Sequence, residues 1–201
     1  MKMKLSPRVS LVIIAAMFLL PLLLAWFMYN GTIAYKPAMT RNFGQLVEPP
    51  VPLDWKDASL IPGDGSPGAA AAEEFSRHWV ILYRVADHCP ESCLREVSAL
   101  RQIHLAAGRN QDRIRIALLL QNDAGYQVES DLREMYPVFQ LIGDPSGRIG
   151  TTLERTASGP GAVYLIDPLG NIMMTYKGGA DPNHLKQDLK RLLTWSKLDE
   201  Q

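Results

Sequence analysis

Hydrophobic and polar positions along the chain form three successive patterns. Between Arg8 and Lys36 no charged residue occurs, and the core of that interval is almost wholly apolar. A segment rich in proline and glycine follows, with weak patterning up to about residue 75. From Trp79 onward, short apolar runs alternate with segments of helical period. These patterns predict a helix of membrane length, a linker and one folded domain.

The third pattern predicts individual elements. Trp79 to Ala86 is apolar except for Arg84, as expected of a central strand that is buried on both faces. Asp181 and Pro182 should begin a last helix that carries leucines on one face. The predicted strands are 79–86, 113–120, 138–142, 162–166 and 172–176, and the predicted helices are 90–107, 129–136, 149–156 and the one that begins at 182.

Strands that alternate with helices favour an α/β fold with a central mixed sheet flanked by helices. The cysteine motif Cys89-Pro-Glu-Ser-Cys93 stands where the first long strand meets a helix. A cysteine pair in that position is typical of the thioredoxin-like fold. The predicted architecture is therefore a thioredoxin-like domain preceded by a single N-terminal transmembrane helix.

The apolar N-terminal run is long enough for a bilayer, whose core needs about 20 residues in a helix. Lys2, Lys4 and Arg8 precede it, so the positive-inside rule keeps the N-terminus in the cytoplasm. A cleaved signal peptide is the alternative, but its hydrophobic region would be shorter and its cleavage site closer. We expect residues 1–9 in the cytoplasm, 10–30 in the membrane, 31–75 as linker and N-terminal extension, and 76–197 as the thioredoxin-like domain. In a bacterium, this describes a single-pass inner-membrane protein with a periplasmic domain.

Composition excludes one class of partner. The 201 residues include 21 basic and 21 acidic side chains, so the chain has no overall field that would attract nucleic acid. We therefore expect a membrane and proteins as its partners.

Cys89 and Cys93 are the only two cysteines of the chain. A purely structural disulfide is the simpler interpretation in an exported protein. Reactive or metal-binding thiols, both facing solvent at the start of the helix, are favoured because the closed loop is too short to stabilise the fold much, and because a helix N-terminus stabilises a thiolate. His88 adjoins the first cysteine and would favour the thiolate when protonated.

The segment Asp87-His-Cys-Pro-Glu-Ser-Cys93 resembles the H-C-P-x-x-C segment of the SCO/SenC family. The N-terminal anchor and the hairpin sequence Tyr164-Leu-Ile-Asp-Pro-Leu-Gly-Asn171 extend this resemblance, and residues 101–114 look like a divergent branch associated with bacterial terminal oxidases. Members of the family are membrane-anchored, thioredoxin-like factors for assembly of the copper centre of cytochrome c oxidase. The resemblance implies a cytochrome c oxidase subunit, or another periplasmic thiol or copper protein, as partner.

The sequence departs from the family at the copper site. SCO proteins complete that site with a histidine shortly before the Y-L-I-D-P strand, whereas residues 156–162 here contain none and Gly159 falls near its position. Two thiolates, Cys89 and Cys93, could still hold Cu(I), which soft sulfur ligands select. Thiol redox chemistry is thus favoured over copper binding, and no cofactor is assigned with certainty.

Pro160 is close to the place where thioredoxin-like oxidoreductases put a cis-proline that contacts the substrate disulfide. It lies one residue earlier than the usual spacing, so it is either that proline with a bulge or part of a loop turn.

The leading hypothesis is a membrane-anchored protein that assists oxidase assembly by thiol-disulfide exchange and by delivery of Cu(I). It would be an enzyme only in the sense of a thiol-disulfide oxidoreductase. Two alternatives remain: a general exported oxidoreductase, for example in cytochrome c maturation, and a non-catalytic module that docks on an oxidase.

Overall fold

A computed structural model of the chain describes residues 6–30, 41–56, 58–61, 70–85, 89–120, 139–156 and 161–196. The chain divides into two compact units, Met1–Arg41 and Asn42–Gln201.

The first unit contains helix α1, Pro7–Asn30, with Pro21 in its interior. At 1.5 Å per residue, its 24 residues extend about 36 Å, enough to cross a hydrocarbon core of about 30 Å. Its apolar side chains are exposed, with Leu11 at 70% and Met17 at 77%. Within the described residues, this is the one helix long and apolar enough to span a membrane.

The second unit is built of strands and helices that largely follow the predicted order. Its strands are β1 (Gln45–Pro52), β2 (Ser59–Leu60), β3 (Trp79–Val85), β4 (Ile114–Leu120), β5 (Gln140–Gly143), β6 (Val163–Ile166) and β7 (Asn171–Tyr176). Its helices are α2 (Ala71–Phe75), α3 (Glu91–Ala106), α4 (Arg148–Thr156) and α5 (Pro182–Trp195), with a 3-10 helix at Gly108–Arg113. The predicted helix at 129–136 lies outside the described residues.

The strands that the structure describes form one mixed sheet in the order β1-β7-β6-β3-β4-β5-β2. Strand β3 is near its centre, parallel to β4 and antiparallel to β6. Strands β4 and β5 are also parallel, whereas β6, β7 and β1 are joined by antiparallel pairing. The prediction of a thioredoxin-like α/β fold is confirmed.

Strand β3 is buried on both faces, as its unbroken apolar run predicts. Trp79, Ile81 and Tyr83 pack on the side where α3 and α5 bury their apolar residues. Val80 and Leu82 point to the opposite side, into a second cluster with residues of α2 and α4. Each of these five residues is at most 5% exposed. The strand therefore holds its carboxyl end, where the cysteines follow, in a fixed position.

Part of the segment before residue 76 belongs to the core, which the weak patterning of residues 31–75 does not predict. Strand β1 pairs with β7 at the edge of the sheet, where its prolines remove no ladder hydrogen bond from a central strand. Trp55 and Phe75 are buried, with ring centroids 4.7 Å apart. The predicted domain limits themselves stay predictions.

The last helix begins as expected. Asp181 is its N-cap, and the side-chain oxygen Oδ1 accepts a hydrogen bond of 2.9 Å from the amide of Asn183. That bond lowers the pKa of the Asp181 carboxyl. Pro182 occupies the first turn, where its missing N–H costs nothing.

Candidate functional site

The two cysteines lie where the carboxyl end of β3 approaches the start of α3. Cys89 precedes the helix, and Cys93 lies in its first turn, which begins at Glu91. Pro90 is the N-cap residue, and its carbonyl accepts a hydrogen bond of 3.0 Å from the amide of Leu94. One helical turn thus separates the two thiols, as the spacing predicts.

Cys89 and Cys93 form a disulfide, with their Cα atoms 5.1 Å apart. The two sulfurs differ in access. Cys89 is half-buried, whereas Cys93 is only 6% exposed and packs in the cluster that contains Tyr83 and Val97. The expectation that both sulfurs face solvent is therefore wrong for Cys93, because its helical position turns its side chain toward the sheet.

The helix start sets the electrostatics of this disulfide. The first amides of an α-helix lack intrahelical acceptors, and together they act as a partial positive charge. A thiolate released there on reduction is stabilised by the same field. The arrangement can therefore support attack on the half-buried sulfur and departure of the buried one.

A groove of about 580 Å³ lies beside Cys93. One wall is α3, with Glu96 and Ala99, and the floor includes Tyr83 of β3. The other wall is the connection from β7 to α5, through Gly178 and Gly179. We call this space the cysteine groove. It leads from solvent to the Cys93 side of the disulfide.

Two ionisable side chains of the cysteine groove interact. Burial raises the pKa of the Tyr83 hydroxyl, and the negative charge of Glu96 raises it further. Tyr83 is 5% exposed, so a neutral phenol lies under the cysteine helix. The Glu96 Oε1 atom accepts a hydrogen bond of 3.0 Å from the amide of Gly179 and so joins α3 to the opposite wall.

Gly161 lies close to the far wall and to the floor of the cysteine groove. Its φ is +74°, a conformation that side chains disfavour, and a Cβ there would lie 3.5 Å from the Cα of Gly178. The same Cβ would lie 4.0 Å from the Tyr83 hydroxyl. A larger residue at position 161 would narrow the cysteine groove.

Two residues predicted to support the site, His88 and Pro160, lie outside the described residues. Their roles stay predictions. Of the further histidines, His104 is eleven residues beyond Cys93 on α3, about 16 Å along the helix. It is half-buried, and its Nδ1 has no hydrogen-bond partner among the residues that the structure describes.

The two remaining histidines have neighbours elsewhere. His78 Nδ1 is 2.7 Å from the carbonyl of Ser76, and the His184 ring stacks on Phe43 at 4.5 Å. Met174 is a buried core residue, as expected of a methionine on a strand. Within the described ranges, no group of three or more His, Cys, Asp and Glu side chains could hold a metal ion. Among the described residues, the sulfur donors of Cys89 and Cys93 are the ligands that the reduced site offers.

A family model agrees with this geometry. The family described as "Transmembrane-like, thioredoxin-like, C-terminal domain" matches residues 79–196, more than half of the 201 residues. The chain belongs to this family. No curated protein matches it in sequence.

Solved structures share the fold of this family member at low identity. The apo Sco1 protein of Thermus thermophilus is 16% identical, with a TM-score of 0.55, over 77% of this chain and 99% of that one. Copper-bound ScoI of Arabidopsis thaliana is 17% identical, with a TM-score of 0.53, over 76% and 99%. The thioredoxin domain of a thiol-disulfide oxidoreductase from Bacteroides vulgatus is 15% identical, with a TM-score of 0.52, over 71% and 97%. These likenesses show the thioredoxin-like fold.

Sequence reasoning missed the walls of the cysteine groove. Glu96 stands three residues after Cys93, and residues at that spacing share a helix face, so its proximity could have been anticipated. Gly178 and Gly179 lie about 85 residues further along the chain, and no local pattern connects them to the cysteines.

Proposed function

We propose that this chain is a membrane-anchored thioredoxin-like protein that exchanges disulfides through Cys89 and Cys93 and serves assembly of the copper centre of cytochrome c oxidase. Helix α1 would be the anchor, with the N-terminus in the cytoplasm and the thioredoxin-like domain in the periplasm. The likeness to Sco1 and ScoI supports the oxidase role, and the shared fold alone does not distinguish it from other thiol chemistry.

The observation that carries the proposal is the disulfide at the start of α3, with Cys89 half-buried and Cys93 buried. In the reduced protein, the Cys89 thiolate would attack a disulfide of the partner and form a mixed disulfide. Cys93 would then attack Cys89, re-form the bond within this chain and leave the partner with two thiols. The dithiol is oxidised as the partner is reduced, so electrons and protons balance.

The oxidase role is tested in cells that lack the protein. Wild-type chain should restore copper loading of the oxidase, whereas Cys89→Ser should not. Equal oxidase copper content with Cys89→Ser would refute a thiol-dependent role. Full restoration by a double Cys→Ser variant would instead favour the non-catalytic docking module.

A general oxidoreductase is the rival within the same chemistry, supported by the likeness to the Bacteroides vulgatus enzyme domain. Reduction of insulin by the dithiol form of the full chain in detergent separates the two. Rapid, unselective reduction would favour the general enzyme. An assembly factor is expected to reduce insulin poorly and a copper-site cysteine pair well.

Cu(I) as cargo is a second candidate function. Reduction of the disulfide leaves two sulfur donors one helical turn apart, a ligand type that selects Cu(I). Anaerobic titration of the reduced full chain against a competing chelator measures this directly. One Cu(I) bound per chain, lost in Cys93→Ser, would support delivery of copper, and no competition with the chelator would exclude it.

A further inference from the structure

We propose that Glu96 is a positioning residue that holds the far wall of the cysteine groove at the distance that a polypeptide target requires. The inference rests on the proposed disulfide exchange and deepens it. It concerns the connection from β7 to α5, residues 177–181, which faces the cysteine helix across the groove.

A hydrogen bond joins Glu96 to the far wall of the groove. Glu96 lies on α3, and its Oε1 accepts the amide hydrogen of Gly179 at 3.0 Å. Among the hydrogen bonds described for that connection, this one reaches across to the cysteine helix. The turn is otherwise closed locally, by the amide of Ala180 on the carbonyl of Lys177 at 3.0 Å.

Gly179 has open space beside it. Its φ is +73°, and a Cβ there would meet nothing within 4 Å. The next residue, Ala180, packs against the core, which holds that part of the connection. The position of Gly179 itself therefore depends on its hydrogen bond to Glu96, in which an amide oxygen could replace the carboxylate as acceptor.

The carboxylate of Glu96 points toward the cysteine groove and its far wall. Glu96 lines the cysteine groove together with Cys93 and Tyr83, and its charge contributes to the raised pKa of Tyr83. Its neighbour Arg95 pairs with Glu91 at 2.7 Å on the exposed side of the helix. The Glu96 carboxylate instead points across the groove, toward the turn, where it accepts its hydrogen bond at the protein surface.

The expected consequence concerns target binding more than the chemical step. A loosened turn would leave the disulfide intact but would present a wall of variable position to the target. Glu96→Ala should therefore raise KM for a polypeptide disulfide by roughly two- to tenfold, the factor that corresponds to losing one hydrogen bond. The value of kcat should change little.

The test uses the full chain in detergent and compares three variants. Glu96→Gln keeps an acceptor oxygen and should restore a KM close to wild type, whereas Glu96→Ala should not. Gln102→Ala changes an exposed polar residue two turns further along α3 and should behave as wild type. An unchanged KM in Glu96→Ala, or a Glu96→Gln variant as poor as Glu96→Ala, would overturn the proposal.

A second measurement separates this inference from the proposed function. Hydrogen exchange at the Gly179 amide, followed by NMR, should be slow in wild type and Glu96→Gln and faster in Glu96→Ala. If the wild-type chain exchanged no disulfides, the proposed function would fail. The exchange rate of the Gly179 amide would still show whether Glu96 holds the turn. Equal exchange rates in all variants would refute the contact.

Discussion

The cysteine site and a cluster around Asp188 use polar groups in opposite ways. Asp188 is 2% exposed, and its Oδ2 accepts hydrogen bonds from the amides of Phe43 at 2.8 Å and Gly44 at 2.9 Å and from the Tyr176 hydroxyl at 3.1 Å. Its Oδ1 accepts one from Arg191 at 3.3 Å. We call these five residues the Asp188 cluster. Both oxygens of the buried carboxylate are engaged within the protein.

The cysteine site is arranged differently. Its disulfide is half-buried on one side, and the groove beside it opens to solvent. The amides of the first helical turn have no acceptors within their own helix. Polar groups that are satisfied internally hold the fold together, whereas groups directed at solvent remain available for a partner. We therefore expect the Asp188 cluster to stabilise the fold and the cysteine site to carry the disulfide chemistry.

The largest expected effect is the loss of disulfide exchange when the cysteine site is changed. Cys89→Ser should abolish disulfide exchange, because the sulfur that remains, on Cys93, is buried and has no second cysteine with which to re-form a disulfide. Its unfolding free energy should fall by about 2 kcal/mol at most, since the disulfide closes a very short loop. Insulin or peptide reduction measures the first quantity, and denaturant unfolding of the full chain in detergent measures the second. If Cys89→Ser still exchanged disulfides, the assignment of the chemistry to the cysteine site would be wrong.

A substitution at Asp188 should have the opposite result, with a loss of stability and little change in activity. Asp188→Ala removes the acceptor of two backbone amides and leaves the Tyr176 hydroxyl with only the weak acceptor Met174 Sδ at 2.9 Å, which should cost on the order of 3 kcal/mol of unfolding free energy. Disulfide exchange at a temperature where the variant is folded should be close to wild type. Asp188→Asn, which keeps one acceptor oxygen, should lose less stability than alanine. A change below about 0.5 kcal/mol in Asp188→Ala would show that the cluster does not stabilise the fold.

A smaller effect is expected at Tyr176, together with a pH dependence. Tyr176→Phe removes one hydrogen bond to Asp188 and should cost about 1 kcal/mol near neutral pH. Burial, and then the adjacent Asp188 charge, raises the pKa of Tyr176 above its ordinary 10.0. The folded state therefore keeps a proton that the unfolded state loses above pH 10, so stability should fall as pH rises through that range. The decline should be shallower in Tyr176→Phe, and identical slopes would contradict this assignment.

The cysteine site could be predicted further from the sequence than the Asp188 cluster. The apolar run of β3 and the proline at the start of α3 are local signals, so the sequence places Cys89 and Cys93 one helical turn apart. By contrast, Asp188 meets Phe43 and Gly44 across 145 and 144 residues of chain, and no local pattern signals such a contact.

Two other expectations failed because contacts between residues distant in the sequence decided the outcome. Strand β1 contains consecutive prolines, which in isolation indicate a linker, yet at a sheet edge they fit the pairing with β7. On α3, the helical spacing of the apolar residues predicts His104 on the core face. The structure buries Ile103 at 5% exposure, because the angle at which the helix packs is set by tertiary contacts.

The central claim, that Cys89 attacks the target disulfide and Cys93 is the resolving thiol, is tested most directly by trapping a mixed disulfide. The full chain with Cys93→Ser, mixed with a peptide disulfide, should accumulate a covalent adduct through Cys89 that mass spectrometry locates. Cys89→Ser should form far less adduct, because the Cys93 sulfur is buried. Equal or greater adduct through Cys93 would contradict the account.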